Sequence, residues 1–168
     1  MPIDYWGTDE DYFRDDALIP MPLHIAVVSG PDCTMALRRR IIDTYRRYEF
    51  VTLISPTAEI APGSSIGSGS ALMRGCIVNG AILGKHCVIN TGAIVEHDVK
   101  IGENVFIGPG VVICGGVTIG DDCYIGAGAI VRNGVSIVSG TTAGMGSVVI
   151  NDITQAGIYA GNPCKRIK

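Results

Sequence analysis

The stretch LGKHCVINTGAIVEHDVKIGENVFIGPGVVICGGVTIG, residues Leu83 to Gly120, carries a branched aliphatic at every sixth position: Leu83, Ile89, Val95, Ile101, Ile107, Ile113 and Ile119. Four residues after each comes Cys87, Ala93, Val99, Val105, Val111, Val117 or Cys123, a second column of small or β-branched side chains. Neither the 3.6-residue period of a helix nor the alternation of a half-buried strand produces this pattern. A hexapeptide repeat does, when each short strand turns one large aliphatic inward and stacks it on its equivalent one coil away. The step continues through Ile125, Val131, Ile137, Ala143 and Val149, so the run from Leu83 to Thr154 makes four coils of a parallel β-helix.

A second period sets the shape of the coil. Gly84, Gly102 and Gly120 lie eighteen residues apart, as do Gly108, Gly126 and Gly144. Three hexads per turn make a triangular prism, and glycine columns at fixed offsets mark corners where φ is positive or where backbones approach too closely for a Cβ. Upstream, Ile60, Ile66, Leu72 and Val78 keep the six-step one residue out of phase with Leu83, so a short step lies between. The sequence therefore predicts a mostly β protein, with a prism of about five to six coils over residues 55–154 and a C-terminal tail at 155–168.

Composition agrees with this reading. Glycine supplies 23 of 168 residues, a share that would destabilise a helical bundle at about 0.8–1.0 kcal/mol per interior position. Eight scattered prolines do not support collagen, and a chain that is 47% apolar and only 17% charged is not disordered. A net charge of −3 leaves no electrostatic footprint for nucleic acid. No apolar run is long enough to insert in a membrane, and Asp4, Asp9, Glu10 and Asp11 replace the basic and apolar residues of a signal peptide. A cytoplasmic protein is expected. The six cysteines (33, 76, 87, 114, 123 and 164) contain no Cys-x-x-Cys pair and read as small buried filler. His24, His86 and His97 share no face by eighteen-residue arithmetic, so no metal site is expected.

Residues 1–54 follow a different grammar, that of a partial α/β unit resembling half of a nucleotide-binding domain. Leu23–Val28 reads as a buried strand, Ser29-Gly30-Pro31-Asp32 as a turn, Cys33–Tyr48 as a helix and Phe50–Ile54 as a second strand. Met35, Leu37, Ile41, Ile42 and Tyr45 form the apolar stripe of the helix, and Arg38, Arg39, Arg40, Arg46 and Arg47 read as a solvated face. Ser29-Gly30 after a strand is a phosphate-turn signal that makes Gly30 a substrate-side candidate.

The hexads, the segment Asn90-Thr91-Gly92-Ala93-Ile94-Val95-Glu96-His97-Asp98 and the closing Gly157-Ile158-Tyr159-Ala160-Gly161-Asn162-Pro163 resemble the left-handed β-helix acyltransferases, specifically the NeuD/PglD-like sugar acetyltransferases. The resemblance spans about residues 17 to 168. It implies a left-handed coil, a homotrimer with active sites between subunits, and acetyl-CoA as acetyl donor. It also implies an N-terminal nucleotide-binding domain, of which only the second half has a counterpart here.

By the same resemblance His97 is the general base and Asp98 its partner, with Glu96 the competing partner. Asn90 lies on the substrate side, and Phe106, Gly115, Ala127, Met145 and Lys165 are cofactor contacts. An imidazole suits proton removal from an attacking amine or hydroxyl, and backbone amides suit the oxyanion. The expected activity is N-acetylation of an amino sugar, nucleotide-linked, in surface-glycan synthesis. O-acetylation of a sugar hydroxyl, as on a sialic acid, and a non-catalytic hexapeptide-repeat scaffold are the alternatives.

Overall fold

The computed structural model describes residues 22–27 and 35–168. From Leu53 onward the chain winds as a three-sided parallel β-helix of two-residue strands, one per hexad. Its sides are parallel sheets of eight, six and five strands; the eight-stranded one ends in an antiparallel hairpin of Ile158–Ala160 with Lys165–Arg166. In each strand of the central coils the second residue points inward. Val95, Ile107, Ile113, Ile125 and Val131 are completely buried, as are Cys87, Val99, Val111, Val117 and Ala129 of the second column. Both sequence columns therefore form the core. Each inward aliphatic contributes about 1.5–3 kcal/mol of gross burial energy.

Coil length is read directly from the ladder. Ile94 pairs with Val112, eighteen residues on, but Ile77 pairs with Ile94 and Ile66 with Leu83, seventeen on. The phase step in the sequence is thus a corner one residue short, Asn79-Gly80-Ala81, where other corners hold four residues.

The glycine columns divide by cause. Gly84, Gly102, Gly108 and Gly126 have ordinary φ but lie against the next coil; a Cβ on Gly126 would stand 2.6 Å from the Met145 backbone nitrogen. Positive φ falls on a different set, including Gly92, Gly110, Gly116 and Gly128, together with four non-glycine residues, His86, Asp98, Asn104 and Asp122.

Two expectations for the first fifty residues are corrected. The strand expected over 23–28 is reduced, within the described residues, to a single bridge from Leu23 to Phe50, with Leu23 N–H donating to Glu49 and Val51 N–H to Leu23. The strand expected over 50–54 is divided: Leu53–Ile54 joins the β-helix by pairing with Ala71–Leu72. So short a β-α-β unit offers few partners, whereas the prism offers a ready edge.

The helix runs over Ala36–Tyr45 and is held to one corner of the prism by three of the positive-φ residues. Arg38, expected in solvent, is fully buried and donates from Nη2 to the His86 carbonyl at 3.1 Å. Arg39 Nε donates to Asp122 Oδ1 at 2.8 Å, and Asn104 Nδ2 donates to the same oxygen at 2.8 Å. The spacing of Met35, Arg38 and Ile42 puts all three on the docked stripe.

The His86 ring, 6% exposed, meets Phe50 edge-on at 4.6 Å. Burial, then the positive charges of Arg38, Arg39 and Lys85 and the ring of His24, lower its pKa from 6.5 to about 4. The unfolded chain takes up this proton near 6.5 while the fold resists it, so this contribution to stability is complete above about pH 6.5 and is lost as pH falls toward 4. In calorimetry between pH 7.5 and 4.5, about the range spanning both values, Tm is expected to fall more steeply for the parent than for His86→Asn. Asparagine accepts the same backbone geometry, as Asn104 does one coil on.

Buried thiols behave as filler. Desolvation pushes Cys87 up to about 12 and Cys123 up to about 11. Cys76 is buried too, while Cys114 and Cys164 are half-buried and Cys33 lies outside the described residues. Among the described residues no helix is long and apolar enough to cross a membrane, and no three His, Cys, Asp or Glu side chains converge to hold a metal.

Candidate active site

His97 stands in the corner that follows the strand Ile94–Val95. Val95 and Val99 are completely buried, which leaves Glu96, His97 and Asp98 on the outside of the prism. Asp98 has φ +60°, although its equivalents in neighbouring coils, Gly80, Gly116 and Gly134, are glycines at +70° to +72°. A left-handed backbone costs an L-residue about 1–2 kcal/mol, and Asp is among the few types that adopt it. The position sets its carboxylate beside the imidazole: His97 Nδ1–H donates to Asp98 Oδ2 at 2.9 Å. That tautomer leaves the Nε2 lone pair free to accept a proton.

This hydrogen bond is the main cause that raises the His97 pKa above 6.5; the charges of Asp98 and Glu96 add to it. Glu96, the competing partner, instead accepts from Asn79 Nδ2 at 3.0 Å. Gly115 lies one coil beyond and under the ring: a Cβ there would stand 2.6 Å from His97 Nε2 and 2.7 Å from Cε1. Its missing side chain seats the imidazole, and its N–H has no acceptor among the described residues.

Of the residues predicted for the site, the single chain brings together His97, Asp98 and Gly115. Asn90, Ala127 and Met145 lie on the neighbouring corner, at the other edge of the six-stranded face. There Asn90 Oδ1 accepts from the Thr91 N–H at 2.7 Å, and Met145 is 78% exposed. Lys165 is exposed in the terminal hairpin. Phe106 is placed elsewhere, apart from His97, Asp98 and Gly115. Its ring is buried with Met35, Ala71 and Val88 and stacks on Tyr124 at 4.8 Å, on the face that carries the helix. Gly30 lies outside the described residues.

The residue before each inward aliphatic carries a further signal of the repeat. On the six-stranded side this outward column reads Glu59, Ile77, Ile94, Val112, Ile130 and Val148, so that after Glu59 it is an apolar stripe between the His97 corner and the Asn90 corner. The five-stranded side carries Ser65, Ile82, Lys100, Thr118 and Ser136, polar at every position but Ile82. Since His97 and Asp98 side chains are 68% and 83% exposed, the base stands on an open corner at the rim of an apolar face that no described element covers.

Comparison with known proteins matches this chain to the bacterial transferase hexapeptide (six repeats) over residues 80–115 and 98–133, and to the hexapeptide repeat of succinyl-transferase over residues 116–151. No curated protein matches. Among solved structures, the acetyltransferase domain of PglB from Neisseria gonorrhoeae FA1090 is 34% identical with a TM-score of 0.82, over 90% of this chain and 74% of that one; it is also known in complex with acetyl coenzyme A. PerB from Caulobacter crescentus, solved with CoA and GDP-perosamine, is 33% identical with a TM-score of 0.80, over 88% of this chain and 70% of that one. WeeI from Acinetobacter baumannii AYE is 26% identical with a TM-score of 0.77, over 86% and 69%.

Proposed function

This chain belongs to the left-handed β-helix sugar acetyltransferases built on the hexapeptide repeat, and we propose that it transfers the acetyl group of acetyl-CoA to the amine of a nucleotide-linked amino sugar in surface-glycan synthesis. The observation that carries this reading is the His97–Asp98 pair seated over Gly115. As the amine nitrogen attacks the thioester carbonyl, His97 Nε2 takes its proton. Asp98 holds the ring in the required tautomer and balances the imidazolium that forms. The Gly115 N–H, which has no acceptor among the described residues and lies one coil beyond the base, is the donor for the oxygen that becomes negative. Collapse of the tetrahedral intermediate expels the coenzyme A thiolate, which takes the proton back from His97, and the products are the amide and free thiol.

A homotrimer acting in the cytoplasm is part of the proposal. In one chain the base is open to water, and the coenzyme-side candidates Ala127 and Met145, with Asn90, sit on the opposite edge of the apolar face. A second copy laid on that face buries Ile94, Val112 and Ile130 and sets the His97 corner of one chain against the Asn90–Met145 corner of the next. Lys165 is then the cofactor candidate for the phosphates, whose charge it complements.

The test scores thiol release from acetyl-CoA with GDP- and UDP-linked amino sugars and with free amino sugars. Turnover is expected with a nucleotide-linked member of the panel, alongside one acetyl-CoA per chain in calorimetry. Ile130→Glu is expected to sediment as a monomer and to lose both binding and turnover. No thiol release with any amino sugar overturns the proposal; a fully active monomeric variant overturns the shared site.

A further inference from the structure

The corners of the prism obey a hydrogen-bonding rule that fails at one place. From His86 to Gly146, positive-φ corner residues donate their N–H to a carbonyl one coil earlier: Gly92 to Arg74, Gly110 to Thr91, Gly116 to His97, Gly128 to Pro109, Gly134 to Gly115. His86, Asn104, Asp122, Gly140 and Gly146 do the same. Asp98 alone in this range has no such bond among the described residues. The cause is the short corner Asn79-Gly80-Ala81, which lies one coil before His97 and Asp98 and lacks the residue whose carbonyl the Asp98 N–H would meet.

The neighbours of that gap are all committed. Asn79 Nδ2 holds Glu96, the Gly80 N–H donates to Ser64 Oγ at 3.0 Å, and Ala81 is fully buried in the inward column. A Cβ built on Gly80 meets nothing within 4 Å. His97, meanwhile, leans the other way, over Gly115 in the following coil. The deletion therefore leaves a notch beside Gly80 on the N-terminal side of the base, where the Asp98 N–H has no acceptor among the described residues.

We propose that this notch receives the acceptor, and that the Asp98 N–H donates a hydrogen bond to a sugar hydroxyl oxygen next to the reacting amine. The proposal rests on the acetyltransferase reading and assigns the two sides of His97: thioester toward Gly115, sugar toward Asn79–Ala81. One residue of the pair then does two jobs. The Asp98 carboxylate orients the base, and its amide positions the acceptor, so the strained backbone at 98 serves both.

The test inserts one glycine between Asn79 and Gly80, which restores the eighteen-residue coil and gives the corner the pattern of Cys114-Gly115-Gly116-Val117. With GDP-perosamine as probe, the acceptor KM is expected to rise about tenfold or more, as for loss of a positioned hydrogen bond and its space. The calorimetric affinity for acetyl-CoA is expected to stay the same. In the parent, the Asp98 amide is expected to exchange with solvent much faster than that of Gly116. An unchanged acceptor KM in an active insertion variant, a parallel loss of acetyl-CoA affinity, or an Asp98 amide as slow as Gly116 overturns the notch while leaving the enzyme an acetyltransferase. A parent that turns over no amino sugar overturns the acetyltransferase reading itself, and the notch's ligand with it. Should the insertion abolish cooperative unfolding, Gly80→Asn takes its place with the same readings, since asparagine tolerates φ +72° and adds a side chain at the corner without moving the register.

Discussion

His97→Ala is expected to lower kcat by about 10²–10⁴ with the Tm unchanged. The two halves of that expectation come from different observations. The side chain is 68% exposed and packs into no core, so its removal leaves the fold alone. Its Nε2 is the free nitrogen of an imidazole whose other nitrogen is bonded to Asp98, so its removal takes away the proton acceptor. Asp98→Asn separates the carboxylate from the backbone, because asparagine also adopts positive φ. The raised pKa means that the base is lost to protonation as pH falls through a value above 6.5. In Asp98→Asn the acid limb of kcat/KM is expected to move to lower pH while kcat drops. Asp98→Gly is expected to stabilise the fold slightly, by relieving the left-handed strain, and to lose activity like the asparagine variant. Wild-type turnover in His97→Ala, or an acid limb that Asp98→Asn does not move, removes the pair from the mechanism.

The second large effect concerns the glycines. Gly126→Ala places a Cβ 2.6 Å from the Met145 nitrogen and 2.8 Å from the Gly144 carbonyl carbon. These are backbone atoms that cannot swing away. The coils must part there, which strains the 2.7 Å bond from the Gly126 N–H to the Ala143 carbonyl. A loss of about 2–4 kcal/mol is expected in urea unfolding. Gly128, two residues on, has φ +66° and nothing within 4 Å of its Cβ position. Gly128→Ala is expected to cost about 1–2 kcal/mol, from backbone conformation alone. Asparagine separates the two causes: at 128 it should be better tolerated than alanine, and at 126 at least as damaging. Equal costs for alanine and asparagine at both positions contradict the division.

Most of the prism was legible as periodicity. Leu83 to Val149 revealed the inward column because each member meets the same kind of neighbour one coil away, so a local six-residue rule repeats a tertiary contact. The short corner was legible for the same reason, as a slip of phase between Val78 and Leu83. The Asn90-to-Asp98 segment carried the base and its candidate partners through resemblance rather than spacing. What spacing left open were contacts between segments that do not share the repeat. Arg38 reads as one arginine among five on a solvated face, and it is buried because it meets His86 across forty-eight positions of chain. Phe106 reads as a cofactor contact, and its ring is buried with Met35, the residue that caps the helix.

The two kinds of glycine look identical as letters. Their difference is whether the adjoining coil lies against the Cα or the backbone itself turns left-handed, and both are properties of the wound chain. The choice between Glu96 and Asp98 is of the same kind. Spacing brings both carboxylates to the base, but the left-handed backbone at 98 and the pull of Asn79 on Glu96 give His97 to Asp98. A repeat encodes a prism because every coil imposes the same local demand. It does not encode what docks on each side, or which corner breaks the rule, since those depend on surfaces that exist only once the coils are stacked.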